Sequence, residues 1–139
     1  MIDKKTGAIH FPEWSESLSP ATSRDEFLRS TLIQDANIQV QNEPYFSWRL
    51  KPTKWEDGKW WVVVVYFEGE KLIQVRLAAC EYETDPGWEE WSEESEIHLN
   101  KYHMGLVQRL LGLSDRFPWG NVETSYDEKS GGSFIIITY

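Results

Sequence analysis

Residues 60–67 read WWVVVVYF, and this stretch decides the fold. It is apolar on both faces and rich in β-branched valine, which is typical of a central strand that is covered on both sides. A turn at residues 68–71, containing Gly69, leads into residues 73–79, where polar side chains separate apolar ones. The two segments therefore predict a β-hairpin at the centre of a sheet.

Working outward, four more segments have the composition of strands. Residues 46–50 alternate apolar and polar side chains, and residues 122–126 do the same. Residues 134–139 (FIIITY) follow a turn at residues 127–132, whose two glycines can adopt positive φ. Residues 8–11 are predicted to form a short strand.

Two helices are indicated by their end signals. Ser23 and Glu26 have the spacing of a capping box, which predicts a short helix at about residues 23–32. A long helix is predicted at about residues 93–112, with Ser92 as its N-cap. Its expected core face consists of Leu99, Tyr102, His103, Leu106, Val107, Leu110 and Leu113.

The order of these segments predicts the fold class. It indicates an α+β domain with an antiparallel sheet of about five to six strands, one long helix packed on one face and a short N-terminal helix. No internal repeat or low-complexity linker divides the 139 residues. Residues 1–139 are therefore expected to form a single domain.

The negative charge of the chain is concentrated in one segment. The formal net charge is −9, and residues 81–96 (EYETDPGWEEWSEESE) contain eight acids and no Lys, Arg or His. The rest of the chain has 15 acids against 14 bases and is almost neutral. Clustered bases are what phosphate backbones and anionic membranes attract, so we expect neither nucleic acid nor a membrane as a partner.

The acidic segment has two interpretations. It can be a solvated loop that runs into the long helix, with its last acids complementing the helix dipole. Alternatively, the segment is a docking site, because it contains Trp88 and Trp91 and tryptophan is enriched in binding hot spots. This interpretation requires that the two indoles do not fold back onto the core. The candidate partner-binding residues are Glu81, Glu83, Asp85, Trp88, Glu89, Glu90, Trp91, Glu93, Glu94 and Glu96.

The sequence contains few candidates for catalytic or metal-binding side chains. Cys80 is the only thiol and ends an alternating strand, while His98 and His103 are five residues apart and cannot share a metal ion on one helix face. No nucleophile elbow, zinc-protease or phosphate-loop motif is present in the sequence. We therefore predict no catalytic residue, no metal site and no cofactor.

Cysteine usage and hydropathy suggest a compartment. A single cysteine cannot form an internal disulfide, and the sequence after Met1 does not have the pattern of a secretory leader. The longest apolar run, at residues 60–67, is well short of the roughly 20 residues of a membrane-spanning helix. The expected location is the cytoplasm.

Three stretches together resemble small bacterial immunity proteins of the kind associated with polymorphic toxins, in contact-dependent inhibition or type VI systems. They are SPATSRDEFLRSTL (residues 19–32), YFEGEKL (residues 66–72) and FPWGNVETSYDEKSGGSFIIITY (residues 117–139). The resemblance implies a non-enzymatic protein that binds a cognate toxin and blocks its active site. A basic toxin such as a nuclease domain would match the acidic segment in charge.

Two alternatives remain open alongside this interpretation. One is a carrier of a small or lipid-like ligand, with an aromatic pocket between helix and sheet lined by Trp48, Trp60 and Tyr66. The other is a structural protein that associates with itself through residues 60–67. The expected oligomeric state is a monomer or a homodimer.

Overall fold

The fold was obtained as a computed structural model, which describes residues 1–80, 93–127 and 132–139. These residues form an α+β fold in which eight antiparallel strands make one sheet. The strands are β1 (Asn37–Asn42), β2 (Tyr45–Arg49), β3 (Thr53–Lys54), β4 (Trp60–Glu68), β5 (Lys71–Cys80), β6 (Arg116–Phe117), β7 (Gly120–Asp127) and β8 (Gly132–Thr138). Their order across the sheet is β1-β2-β4-β5-β8-β7-β6, and β3 pairs with one end of β4.

The predicted central hairpin is confirmed. β4 pairs with β2 on one side and with β5 on the other, and Trp60 lies opposite Cys80 at the open end of the hairpin. Because side chains alternate along a strand, β4 presents two faces. The first face carries Trp61, Val63, Val65 and Phe67, all of which are buried in the hydrophobic core.

The sheet is larger than the five to six strands expected. β1 is not among the predicted strands. Ile38 and Val40 alternate with polar residues, but four of its six residues are Asn or Gln and all six are exposed. β3 and β6 have two residues each, too few for a periodic pattern. The strand expected at residues 8–11 is replaced by isolated bridges that join Ile9 to Ile2 and to Leu18, outside the sheet.

The N-terminal helix is present but shorter than predicted. Helix α1 spans Arg24–Arg29, and the Ser23 side chain accepts a hydrogen bond from the backbone N–H of Glu26, as the capping spacing predicts. Ser30 ends the helix, because its hydroxyl donates to the Phe27 carbonyl at 2.6 Å and accepts from the Leu32 N–H. A short 3-10 helix, Thr31–Ile33, continues the chain.

The long helix agrees with the prediction at its C-terminal end. Helix α2 spans Glu93–Leu111, and Gly112 follows with φ 81°, a left-handed conformation typical of a helix terminus. Leu106 and Leu111 are buried in the core. Leu113 was expected on the core face, but it is 90% exposed because Gly112 redirects the chain. The expected N-cap, Ser92, lies outside the described residues.

Both helices and the N-terminal segment share their core with the first face of the sheet. Phe27 of α1 packs against Trp48 and Phe67, and the α2 residue His103 lies against Trp61. The second face of β4 carries Trp60, Val62, Val64 and Tyr66. Its valines lie outside the hydrophobic cluster that the helices share. The fold thus separates a helix-covered face from a second face of different composition.

Candidate functional site

The structure places three of the ten predicted partner-binding residues. Glu93, Glu94 and Glu96 form the first turn of α2. The other seven lie outside the described residues; they are Glu81, Glu83, Asp85, Trp88, Glu89, Glu90 and Trp91. The exposure of Trp88 and Trp91 therefore remains a prediction.

Glu93 and Glu94 are the first two residues of α2. Both side chains are exposed, and neither forms an ion pair or hydrogen bond in the described structure. They lie at the amino end of a 19-residue helix, where the helix dipole favours negative charge. This position holds two carboxylates in a fixed place without neutralising them.

Glu96 has a different role from its two neighbours. Its Oε2 accepts a hydrogen bond from the backbone N–H of Ser133 at 3.1 Å, and its backbone carbonyl accepts from the Ser133 hydroxyl at 2.6 Å. These bonds join the first turn of α2 to the start of β8. Glu96 therefore fixes the direction of the helix, and its carboxylate is used within the fold.

A cluster that the sequence pattern did not reveal lies near the middle of α2. One Asp57 oxygen accepts from the Tyr102 hydroxyl at 2.6 Å, and Arg109 Nη2 lies 2.8 Å from both carboxylate oxygens. The Tyr102 bond and then the Arg109 bond lower the Asp57 pKa, while burial and Asp57 raise the Tyr102 pKa. Lys59 lies over the Tyr102 ring at 5.0 Å. The four side chains tie a short 3-10 helix before β4, Glu56–Gly58, to α2.

His103 is the buried polar residue of α2. It is fully buried, its Nε2 accepts from the backbone N–H of Ala79 at 3.2 Å, and burial lowers its pKa to about 4. The ring proton is therefore assigned to Nδ1, which is buried and has no hydrogen-bond partner in the described structure. His98 is exposed on the same helix, so the two imidazoles do not converge.

The second face of the sheet carries cations above aromatic rings. Lys54 Nζ lies 4.7 Å from the Trp60 ring centre, and the Arg76 guanidinium lies 5.1 Å from that of Tyr66. Arg76 also donates to the Gln74 side chain at 2.9 Å. Lys54 and Arg76 therefore each contact the face of an aromatic ring on this side of the sheet.

One apolar cavity among the described residues is lined by residues of β1, β2, β4 and β5 and by no residue of either helix. It is shallow, has a volume of about 240 Å³ and lies at the β1–β2–β4 side of the second face. Of the three expected lining residues, Tyr66 alone lines it, while Trp48 is buried against Phe27 and Phe67. Ligand pockets usually have about 300 Å³ or more, so this cavity suits a single side chain better than a bound lipid.

Neither a metal cluster nor a membrane span is found in the described part of the chain. No group of three His, Cys, Asp or Glu side chains there could hold a metal ion, and no helix there is long and apolar enough to cross a bilayer. Cys80 is half-buried opposite Trp60.

Comparison with known proteins adds no functional assignment. No protein-family model, no curated protein and no solved structure matches this chain.

Proposed function

We propose that the chain is a non-enzymatic binding protein of the immunity type. Residues 81–96 bind a basic surface of a toxin domain and block it in the cytoplasm. The observation that carries the proposal is the state of Glu93 and Glu94, which are exposed and unpaired at the start of α2. They continue the run of acids that precedes them in the sequence.

Charge segregation supports a basic partner. Outside residues 81–96 the chain is nearly neutral, so its excess negative charge is concentrated in one segment of the sequence. Complementary potentials can raise the association rate by one to three orders of magnitude at low salt. A nuclease domain is a partner of this kind, because its substrate cleft must attract phosphates.

The two indoles would slow the dissociation of the complex. Trp88 and Trp91 are interleaved with the acids, and tryptophan buries a large area with few rotatable bonds. Charges at the rim of an interface act mainly on association, whereas buried anchors act mainly on dissociation. The two residue types should therefore affect different rate constants.

Immunity genes of this kind normally follow their toxin genes, so the test is a binding measurement with the product of the gene immediately upstream. Changing Glu89, Glu90, Glu93 and Glu94 to Gln is expected to lower the association rate at least about tenfold at low salt, with a smaller effect at high salt. The matched control removes four exposed acids from elsewhere, through Glu43→Gln, Glu68→Gln, Asp115→Asn and Glu123→Gln.

A second arm measures dissociation. Trp88→Ala and Trp91→Ala are expected to raise the dissociation rate by about tenfold or more and to leave the melting temperature unchanged. Equal association rates for the test and control sets would contradict the steering role of the acids. Tryptophan variants that only lower the melting temperature would assign the indoles to the core.

A further inference from the structure

The sequence contains one Asp–Gly pair, Asp57–Gly58, and no Asn–Gly pair. An aspartate that precedes glycine rearranges to isoaspartate more readily than other aspartates, because glycine has no Cβ to hinder attack by its backbone nitrogen. Both residues are exposed in the short 3-10 helix before β4, and a Cβ built on Gly58 would meet nothing within 4 Å. Burial and steric crowding therefore do not protect this pair.

The rearrangement is an internal condensation followed by hydrolysis. The Gly58 nitrogen bonds to Cγ of the protonated Asp57 carboxyl, the bond from Cγ to its hydroxyl breaks, and the amide proton leaves with that hydroxyl as water. A second water then opens the five-membered succinimide. Attack at the former backbone carbonyl of Asp57 gives isoaspartate, whose chain runs through Cγ. Ring closure thus requires a carboxyl group that is protonated and free to turn onto the Gly58 nitrogen.

Contacts with α2 oppose both requirements. The Tyr102 hydroxyl donates to Oδ2 of Asp57 at 2.6 Å, and Arg109 Nη2 lies 2.8 Å from each carboxylate oxygen. The carboxyl group cannot turn onto the Gly58 nitrogen without losing these contacts. The same two partners lower the Asp57 pKa, which favours the anion over the protonated form that loses water.

The backbone around the pair is held as well. Asp57 has φ 59° and ψ 22°, in the left-handed region that aspartate tolerates better than most residues. Lys54 Nζ donates to the Gly58 carbonyl at 2.9 Å, and the Lys59 N–H donates to the Glu56 carbonyl at 3.2 Å. These bonds restrict the backbone rotation by which the Gly58 nitrogen would approach Cγ of Asp57.

From these contacts we propose that Asp57 is a site of isoaspartate formation that Tyr102 and Arg109 protect in the folded protein. Opening of this cluster exposes the pair to rearrangement. The product cannot re-form the cluster in the same way, because its free carboxylate is attached to Cα and its backbone is one carbon longer. Rearrangement would therefore remove a tether between the 3-10 helix and α2. The inference does not rest on the proposed function.

The test is incubation of the whole chain in ¹⁸O-labelled water at neutral pH, followed by tryptic digestion and mass spectrometry. Opening of the succinimide incorporates one labelled oxygen, and trypsin releases the pair in the peptide WEDGK (residues 55–59). Chromatography beside synthetic WEDGK that contains aspartate or isoaspartate identifies the product. We expect the folded wild type to react at least about tenfold more slowly than the same chain unfolded in urea.

Two variants remove the protecting side chains and leave the peptide unchanged. Tyr102→Phe and Arg109→Met should each raise the rate in the folded protein about threefold or more, since exposed charged contacts are individually modest. Tyr45→Phe and Arg29→Met are the matched controls and should react like the wild type. Tyr45 and Arg29 are exposed, and Arg29 pairs with Asp25.

Three outcomes would overturn the proposal. The first is an unfolded chain that forms no isoaspartate at residue 57, or forms it no faster than the folded chain. The second is a pair of variants, Tyr102→Phe and Arg109→Met, that are folded and react no faster than the wild type. The third is a faster reaction matched by equally faster hydrogen exchange throughout β4 and β5, which would assign the protection to the fold as a whole.

Discussion

We expect His103 to make the stability of the fold sensitive to acid. A neutral imidazole suits this site, since Nε2 accepts from Ala79 and burial opposes the charged form. The elements packed around it present Trp61 from β4 and Tyr102 from its own helix, which lie 5.6 and 6.0 Å from its ring. Protonation would add an N–H at the atom that must accept, and the hydrogen bond to β5 would be lost.

The expected pH dependence follows from the direction of the pKa shift. The folded pKa of about 4 lies below the ordinary 6.5, so between these values the unfolded chain binds the proton and the folded chain does not. Above pH 6.5 the group has no effect. As pH falls from 6.5 to 4, this residue should lower the free energy of unfolding by at most about 3 kcal/mol, measured by urea denaturation at each pH.

Two variants separate this effect from the titration of the carboxylates. His103→Gln keeps a side chain that can accept from Ala79 but does not titrate, so its stability should vary less between pH 6.5 and 4. His98→Gln removes an exposed imidazole of the same helix. In this variant the free energy of unfolding should change with pH as it does in the wild type. If His103→Gln and the wild type have parallel curves, the buried imidazole is not the source of the acid sensitivity.

At the scale of an element, helix α1 depends on its cap and on one anchor. It has six residues, too few to be stable in isolation, and Phe27 is its buried residue. Ser23 satisfies the Glu26 N–H at 3.1 Å, and its hydroxyl also lies 3.3 Å from the Glu26 carboxylate. The cap therefore orders a turn that positions Phe27 between Trp48 and Phe67.

Ser23→Ala should lower the free energy of unfolding by about 1 kcal/mol, the usual effect of losing an N-cap side chain. Chemical denaturation would show this as a lower midpoint with an unchanged slope. Ser23→Thr, which keeps the hydroxyl, should lose less. Equal losses for the two variants would mean that packing around residue 23, and not the capping hydrogen bond, stabilises α1.

The elements that the sequence predicts have a local signal in their apolar side chains. β4 is a continuous apolar, β-branched run in which residues 61–65 are all buried, whereas β5 alternates and α2 repeats at helical spacing. β1 has no buried face and follows its neighbour only through backbone pairing. The local pattern is weak, because Ile38 and Val40 alternate with polar residues over only a short span.

The candidate site is less predictable from the sequence than the sheet. The acidic run is visible as composition, but nothing local distinguishes Glu96, which bonds to Ser133 37 positions away, from the exposed Glu93 and Glu94. The Asp57 cluster likewise joins residues 45 and 52 positions apart. Such contacts depend on how α2 crosses the sheet, which periodicity does not determine.

At the scale of the whole molecule, the two chain ends are joined to each other. The Tyr139 hydroxyl donates to the Gly7 carbonyl at 2.6 Å, and Trp119 Nε1 donates to the Lys4 carbonyl at 2.9 Å. Trp119 also stacks on Phe117 at 5.0 Å. The N-terminal segment, which contributes Ile2, Ile9, Phe11 and Leu18 to the core, is thus held by the C-terminal hairpin.

Gly7 is where this connection can be tested. Its φ is +77°, and a Cβ there would lie 2.5 Å from Cδ2 of Trp119, so Gly7→Ala combines backbone strain with a steric clash. Gly58→Ala is the matched control, since its φ is +64° and a Cβ would meet nothing within 4 Å. We expect urea denaturation to show a loss of about 1 kcal/mol for Gly58→Ala and about 3 kcal/mol or more for Gly7→Ala.

A double variant separates the clash from the strain. If the indole is the obstacle, Trp119→Ala should make the added Gly7→Ala change less costly than it is in the wild type, and the two effects will not be additive. Additive losses, or equal losses for Gly7→Ala and Gly58→Ala, would show that close packing of the Trp119 ring on Gly7 does not hold the N-terminal segment. The N-terminal segment would then be held by its buried side chains and by the hydrogen bonds that Trp119 and Tyr139 donate to it.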